Sequence, residues 1–229
     1  MNIDIEKRNV SFESILENRR QTIFLDANFF IPSDRTSLGA RKIDFIKYRE
    51  IWLEPLFEVF SNLAIHESVY AELVAEDVRL FADEKRMDKP SKLRVYFDTE
   101  LNAQEKALMQ TYIYNLAPYS KYIPERNNAD DRGEVKSISY MAVKKFLYFA
   151  ANDNLPYQLI YNAERLHTGL DGMGLLQMYE MIYYLYREGK YDSKGLRLLY
   201  KYQYFLTRRE KAQNLEWGMF VEGMKRLYG

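Results

Sequence analysis

The sequence predicts an α/β fold: a parallel sheet between two layers of helices, with a helical C-terminal extension. Three observations point there. Short apolar runs at Ile23-Phe24-Leu25, Leu63-Ala64-Ile65 and Phe146-Leu147-Tyr148-Phe149-Ala150 read as buried strands, each giving way to polar residues. Stretches with helical spacing separate them, the pattern of parallel strands joined by crossovers. From Gln177 to Gly229 the periodicity is helical throughout.

At 229 residues, 47% hydrophobic and 29% charged, the chain is long enough to bury a real core and too apolar for disorder. No apolar run is long enough to span a bilayer, and Met1 to Arg8 carries charges without a signal-peptide core behind it, so a cytoplasmic protein with no membrane partner is expected. The absence of cysteine excludes disulfides and thiolate zinc sites, and His66 and His167 are the only histidines. Any metal site must therefore use oxygen ligands, and histidine-dependent triads are poorly supplied. A formal charge of zero argues against a globally basic nucleic-acid binder while allowing local patches.

In chain order, Ser11 to Arg19 reads as an amphipathic helix with Ser11 as N-cap. Strand Thr22 to Leu25 then delivers Asp26, followed by Asn28. A turn or helix cap is the bland alternative for both residues. Pro32 to Ala40 reads as a loop, and Arg41 to Phe60 as a helix that Pro55 breaks or kinks. Leu63 to Ile65 forms the second strand. A helix from His66 turns Val69, Leu73 and Val74 inward, with Glu72 projecting over the sheet edge. Glu76 to Pro90 reads as a helix and loop, and Asn102 with Glu105 as a capping box whose helix ends at Pro118.

The loop Ser120 to Asn128 brings Lys121 and Arg126. It leads into Asp130-Asp131-Arg132-Gly133-Glu134 at the start of a helix, where the macrodipole favours acids. Phe146 to Ala150 is the third strand and ends in Asn152-Asp153-Asn154. Pro156 to Ala163 fits a helix, Arg165 to Thr168 a terse edge strand, and Leu175 to Tyr186 a further helix. Gly169, Gly172 and Gly174 read as turn residues, since neither a dinucleotide-binding nor a phosphate-loop pattern is present.

In a parallel sheet the ligand site lies beyond the carboxyl ends of the strands, so this order brings Asp26, Glu72, Glu134 and Asp153 to one end. Two such charges about 4 Å apart repel by roughly 4 kcal/mol at an effective dielectric near 20. A cation is required among them. Oxygen-only ligands suit Mg²⁺ or Mn²⁺, whose phosphodiester chemistry is hydrolysis.

At these residues the chain resembles the PIN-domain nucleases, metal-dependent ribonucleases that include toxins of bacterial toxin-antitoxin pairs. The resemblance runs through Ile23 to Asn28, Leu63 to Leu73, Gly133-Glu134 with its helix, Phe149 to Asp153, and Thr168-Gly169 to Gly174-Leu175-Leu176, or about residues 20 to 187. It implies a PIN-like domain over residues 1–176, with a helical insertion at about 76–126 and an aromatic-rich helical extension at 177–229. It also implies that Asp26, Glu72, Glu134 and Asp153 hold the metal, with Asn28 in support. Asp130, Asp131 and Asn152 are alternative or supporting ligands, and Arg126 or Arg132 contacts phosphate. The chain departs from the family in having His66 where a proline is usual, a longer insertion before Gly133, and Asn152 where an aspartate or threonine is common.

The expected activity is hydrolysis of an RNA phosphodiester by water activated at an Mg²⁺ or Mn²⁺ site, as in a toxin or defence ribonuclease. RNA is then the substrate, with an antitoxin or inhibitor protein and a second copy of the chain as candidate partners. The alternatives are an inactive binding module on the same scaffold and a DNA-directed nuclease. An aspartyl phosphatase would want an aspartate where Asn28 stands. In the extension, ten Lys and Arg against six Asp and Glu are interleaved with aromatics such as Tyr200, Tyr204 and Trp217. Helix packing accounts for these rings more simply than base stacking does.

Overall fold

The computed structural model describes residues 3–229. Its centre is a five-stranded sheet in the order β3-β2-β1-β4-β5, with every neighbouring pair parallel. Helix α1 (Val10–Glu17) precedes β1 (Ile23–Leu25). Helices α2 (Phe45–Tyr48) and α3 (Glu54–Val59) then lead to β2 (Leu63–His66), α4 (Glu67–Glu72) and α5 (Glu76–Met87). Next come β3 (Leu93–Tyr96), α6 (Ala103–Leu116), α7 (Arg132–Lys144) and β4 (Tyr148–Ala151). Helices α8 (Asn154–Tyr161) and α9 (Ala163–Leu166) lead to β5 (Gly174–Gln177), and the chain ends with α10 (Met178–Arg187), α11 (Ser193–Tyr204), α12 (Arg208–Gln213) and α13 (Trp217–Tyr228).

Alternation along the strands gives the sheet two apolar faces, each covered by helices. Ile23, Leu25, Leu63, Ile65, Ala150 and Leu176 join a core completed by α1, α3, α5, α10, α11 and α13. Phe24, Ala64, Phe149, Ala151 and Leu175 join a second core with α6, α7 and α8. The result is helix, sheet, helix.

Several expectations are corrected. Strand β3 lies inside the stretch 76–126 expected to be helical; its alternation of buried Leu93, exposed Arg94 and buried Val95 is too brief to stand out beside charge-dense α5. The edge strand expected at Arg165–Thr168 is instead the end of α9 and a turn, with His167 at φ +53° and Gly169 at φ +73°. The strand there is β5, so Leu175 and Leu176 are sheet and not helix. Gly174 is no turn residue: a Cβ there would meet Ser11 Oγ at 2.1 Å and Ser11 Cβ at 2.8 Å, where α1 crosses β5.

The N-cap of α1 is Asn9, whose side chain accepts the Ser11 N–H, in place of Ser11. Pro55 does not break its helix. A π turn at Arg49–Leu53 joins α2 to α3 and absorbs the missing N–H. Val74 is 86% exposed because α4 stops at Glu72. Among the described residues no helix is long and apolar enough to cross a membrane.

Candidate metal centre

The strand order reverses at β1: β2 and β3 lie on one side of it and β4 and β5 on the other. A crevice at the carboxyl ends of β1 and β4 is the expected ligand position in such a sheet. Asp26 follows the last residue of β1, and its N–H donates to Ala150 O of β4 at 3.0 Å. Asp153 stands two residues beyond β4 as the N-cap residue of α8. Glu134 reaches the same place from the first turn of α7. One carboxylate oxygen from each of Asp26, Glu134 and Asp153 lies within 4.8 Å of the other two.

Glu72, the last residue of α4, sits against Gly133 just outside this group. A Cβ on Gly133 would lie 2.6 Å from Glu72 Oε1, so with any larger residue there the end of the Glu72 side chain would have to move aside. Asn28 Nδ2 donates to Asp153 Oδ2 at 2.9 Å, holding that side chain toward the cluster. Asp26 Oδ1 and Asn28 Oδ1 are both buried with no hydrogen-bond partner.

The electrostatics match the geometry. Burial, then Glu134 and Asp153, then Glu72 push the Asp26 carboxyl well above the usual carboxylate range, against a backbone hydrogen bond at Ala27. Burial raises Glu134 to about 7, with Glu72, Asp153 and Asp131 adding to it against its own backbone N–H. Glu72 is raised by burial, with Arg132 and the Gly133 N–H opposing. The cluster therefore holds more negative charge than its surroundings balance, and its donors are all oxygen. Two orphaned acceptor atoms beside three close carboxylates fit a hard divalent cation, which takes oxygen ligands and adds the missing positive charge.

The other predicted residues are placed elsewhere. Asp130 accepts from Asn128 Nδ2 at 3.2 Å and Asp131 from the Lys121 N–H at 2.7 Å, so both tie down the preceding loop and Glu134 alone of the three joins the group. Asn152 Oδ1 accepts from the Tyr204 hydroxyl, turning it toward α11. Arg126 is exposed on the loop, whereas Arg132 lies near Glu72 with its Nη1 3.5 Å from Asn127 O.

A second polar set, missed in the sequence, sits at the ends of β2 and β3. His66 is fully buried. The Ser68 N–H donates to His66 Nδ1, so Nδ1 is the acceptor and Nε2–H donates to Asp98 Oδ1 at 3.0 Å. Ser68 Oγ lies 2.7 Å from Nδ1 and 3.5 Å from Gly133 O. At 6% exposure, wedged between that ring and a backbone carbonyl, Ser68 is inaccessible as a nucleophile. His66, Glu67 and Asp98 also present ligand atoms within 4.8 Å, but both His66 nitrogens are engaged and Glu67 Oε1 accepts the Asp98 N–H at 2.9 Å. The set is a hydrogen-bond network that leaves no free nitrogen on the ring. Asp98 would have stood out had the strand Leu93–Tyr96 been read, since it follows that strand by two residues.

No protein-family model, no curated protein and no solved structure matches the chain.

Proposed function

We propose that the chain is a metal-dependent endoribonuclease with a PIN-like active site, in which Asp26, Glu134 and Asp153 hold Mg²⁺ or Mn²⁺ and Glu72 completes the acidic pocket. The observation that carries this reading is the meeting of three carboxylates from separate segments at the switch point of the sheet, with Asp26 Oδ1 buried and unpartnered among them. A divalent cation at such a site supplies Lewis acidity and lowers the pKa of a water for in-line attack on a phosphodiester.

The chain's own residues do the rest. Asn28 orients Asp153 through the 2.9 Å hydrogen bond. Glu72 adds negative charge at the rim, where Arg132 limits the repulsion and offers a guanidinium to a substrate phosphate. Buried Asp26 anchors the cluster on a rigid strand end and not on a loop.

Incubation of single-stranded RNA with the protein, with and without EDTA, tests the activity. We expect cleavage only with the metal, and a loss of at least about 100-fold in both Asp26→Asn and Asp153→Asn with the circular dichroism spectrum unchanged. Full turnover in EDTA, or in either variant, would reject the reading.

A further inference from the structure

A cavity of about 380 Å³ opens between α6, the loop before α7 and the start of α7. Leu101, Met109, Ile113 and Tyr122 back its wall, all nearly buried, so most of the lining it exposes is polar. Its polar lining includes Asp98, Lys136, Asn127 and Gln110. A polar lining backed by a few packed apolar side chains suits a heterocyclic ring, whose faces are packed while its edge is hydrogen-bonded.

A hydrogen-bond chain joins the cavity to the acids: from Asp98 at the rim, His66, Ser68 and Gly133 O lead to the first turn of the helix that carries Glu134.

The rim carries both an acceptor and a donor. Asp98 is held in place through Oδ1 by His66 and through its backbone N–H by Glu67, whose carboxyl lies beside its own, and it lines the cavity. Lys136 is close enough to lower its pKa. An acceptor carboxylate thus stands beside a cationic donor.

We propose that this cavity is a base-recognition subsite that seats a guanine of single-stranded RNA, Asp98 accepting from N1–H and the 2-amino group while Lys136 donates to O6. The proposal rests on the nuclease reading for its choice of a strand as ligand. Guanine is the base whose pairing edge puts two donors side by side next to an acceptor. Cytosine and adenine set a ring acceptor beside the amino group, which would face the carboxylate, and uracil offers one donor between two acceptors.

Binding in EDTA separates this proposal from catalysis. Affinities of the 5′-monophosphates of guanosine, adenosine, cytidine and uridine, and of a short RNA with one guanosine among uridines, would be measured by calorimetry on the full chain. We expect guanosine monophosphate to bind at least about tenfold more tightly than the other three, and the guanosine-containing RNA more tightly still. Asp98→Asn and Lys136→Met should each erase the base preference, while Asp26→Asn keeps it. Asp98 also anchors His66, so if Asp98→Asn fails to fold, Lys136→Met decides alone.

Equal affinity for the four monophosphates, or a preference intact in Lys136→Met, overturns the subsite. A monophosphate that binds as tightly as the RNA overturns the strand as ligand in favour of a free nucleotide. Base preference without any cleavage would retire the nuclease reading and keep the pocket, whereas cleavage without preference would retire the pocket alone.

Discussion

Asp26 is the most deeply buried acid of the site, 2% exposed with one oxygen unpartnered and two other carboxylates close by. A carboxyl whose pKa is higher in the folded chain than in the unfolded one binds its proton more tightly when folded. The stability it contributes is full below about 4.5 and is lost as pH rises through about 7, the value reached by Glu134. In EDTA the melting temperature should therefore fall between pH 5 and pH 8, by about 2–4 °C for each kcal/mol lost in a chain of this length. Mn²⁺ competes with those protons, so its stabilisation should be larger at pH 8 than at pH 5 and grow with concentration, reaching about 2.7 kcal/mol at 100 times Kd. Thermal melts across a pH and Mn²⁺ grid read both effects; a flat response to Mn²⁺ at pH 8 would count against the ion. Gly133 supplies a second check. In Gly133→Ala the flexible end of Glu72 must swing away from the new methyl group, so we expect Mn²⁺ affinity to weaken about tenfold while the melting temperature in EDTA barely moves.

At the scale of elements, close backbone approach and local caps decide where segments begin and end. The capping box of Asn102 and Glu105 forms as the sequence predicts, with both hydrogen bonds at 2.9 Å, because its partners are three residues apart and need nothing from the rest of the fold. Pro55 shows the converse. Its effect depended on whether the preceding turn could widen, and the π turn at Arg49–Leu53 does so while keeping Ile51, Trp52 and Leu53 buried. Where α1 crosses β5, Gly174 is required because Ser11 Cβ belongs to a packed helix and cannot swing aside. Gly174→Ala should destabilise the chain by about 1–3 kcal/mol, read as a lower urea midpoint at unchanged m-value. A neutral substitution would mean that α1 is free to slide.

At the scale of the molecule, the extension is continuous with the sheet's own core. Met178, Met181, Ile182 and Leu185 of α10 pack with strand residues, and Leu196, Leu199, Tyr200, Trp217, Phe220 and Met224 extend the same cluster. The aromatics of α11 and α13 meet one another, as in the stacked pair Tyr200 and Phe220 with centroids 4.4 Å apart, so they serve as core. The chain should accordingly melt in a single transition by near- and far-ultraviolet circular dichroism. A fragment ending at residue 187 should lose near-ultraviolet signal, because it leaves α10 and the π turn at Arg49–Leu53 uncovered. A fragment with native spectra would make residues 188–229 a separable unit.

The sequence by itself determined the alternation of strand and helix, the parallel sheet, and the delivery of Asp26 and Asp153 to one edge, because apolar periodicity and strand-end polarity are local signals. It left the third acid open among Asp130, Asp131 and Glu134, since all three precede or open the same helix and charge type alone does not distinguish them. Only the tertiary structure decided for Glu134, because which carboxylate faces inward is set by the rotation of α7 on β2 and α4, and by the approach of Glu72 that Gly133 permits. The same holds for β3 and for Asp98 beyond it, whose place at the sheet edge comes from pairing with β2 over a register no single segment contains.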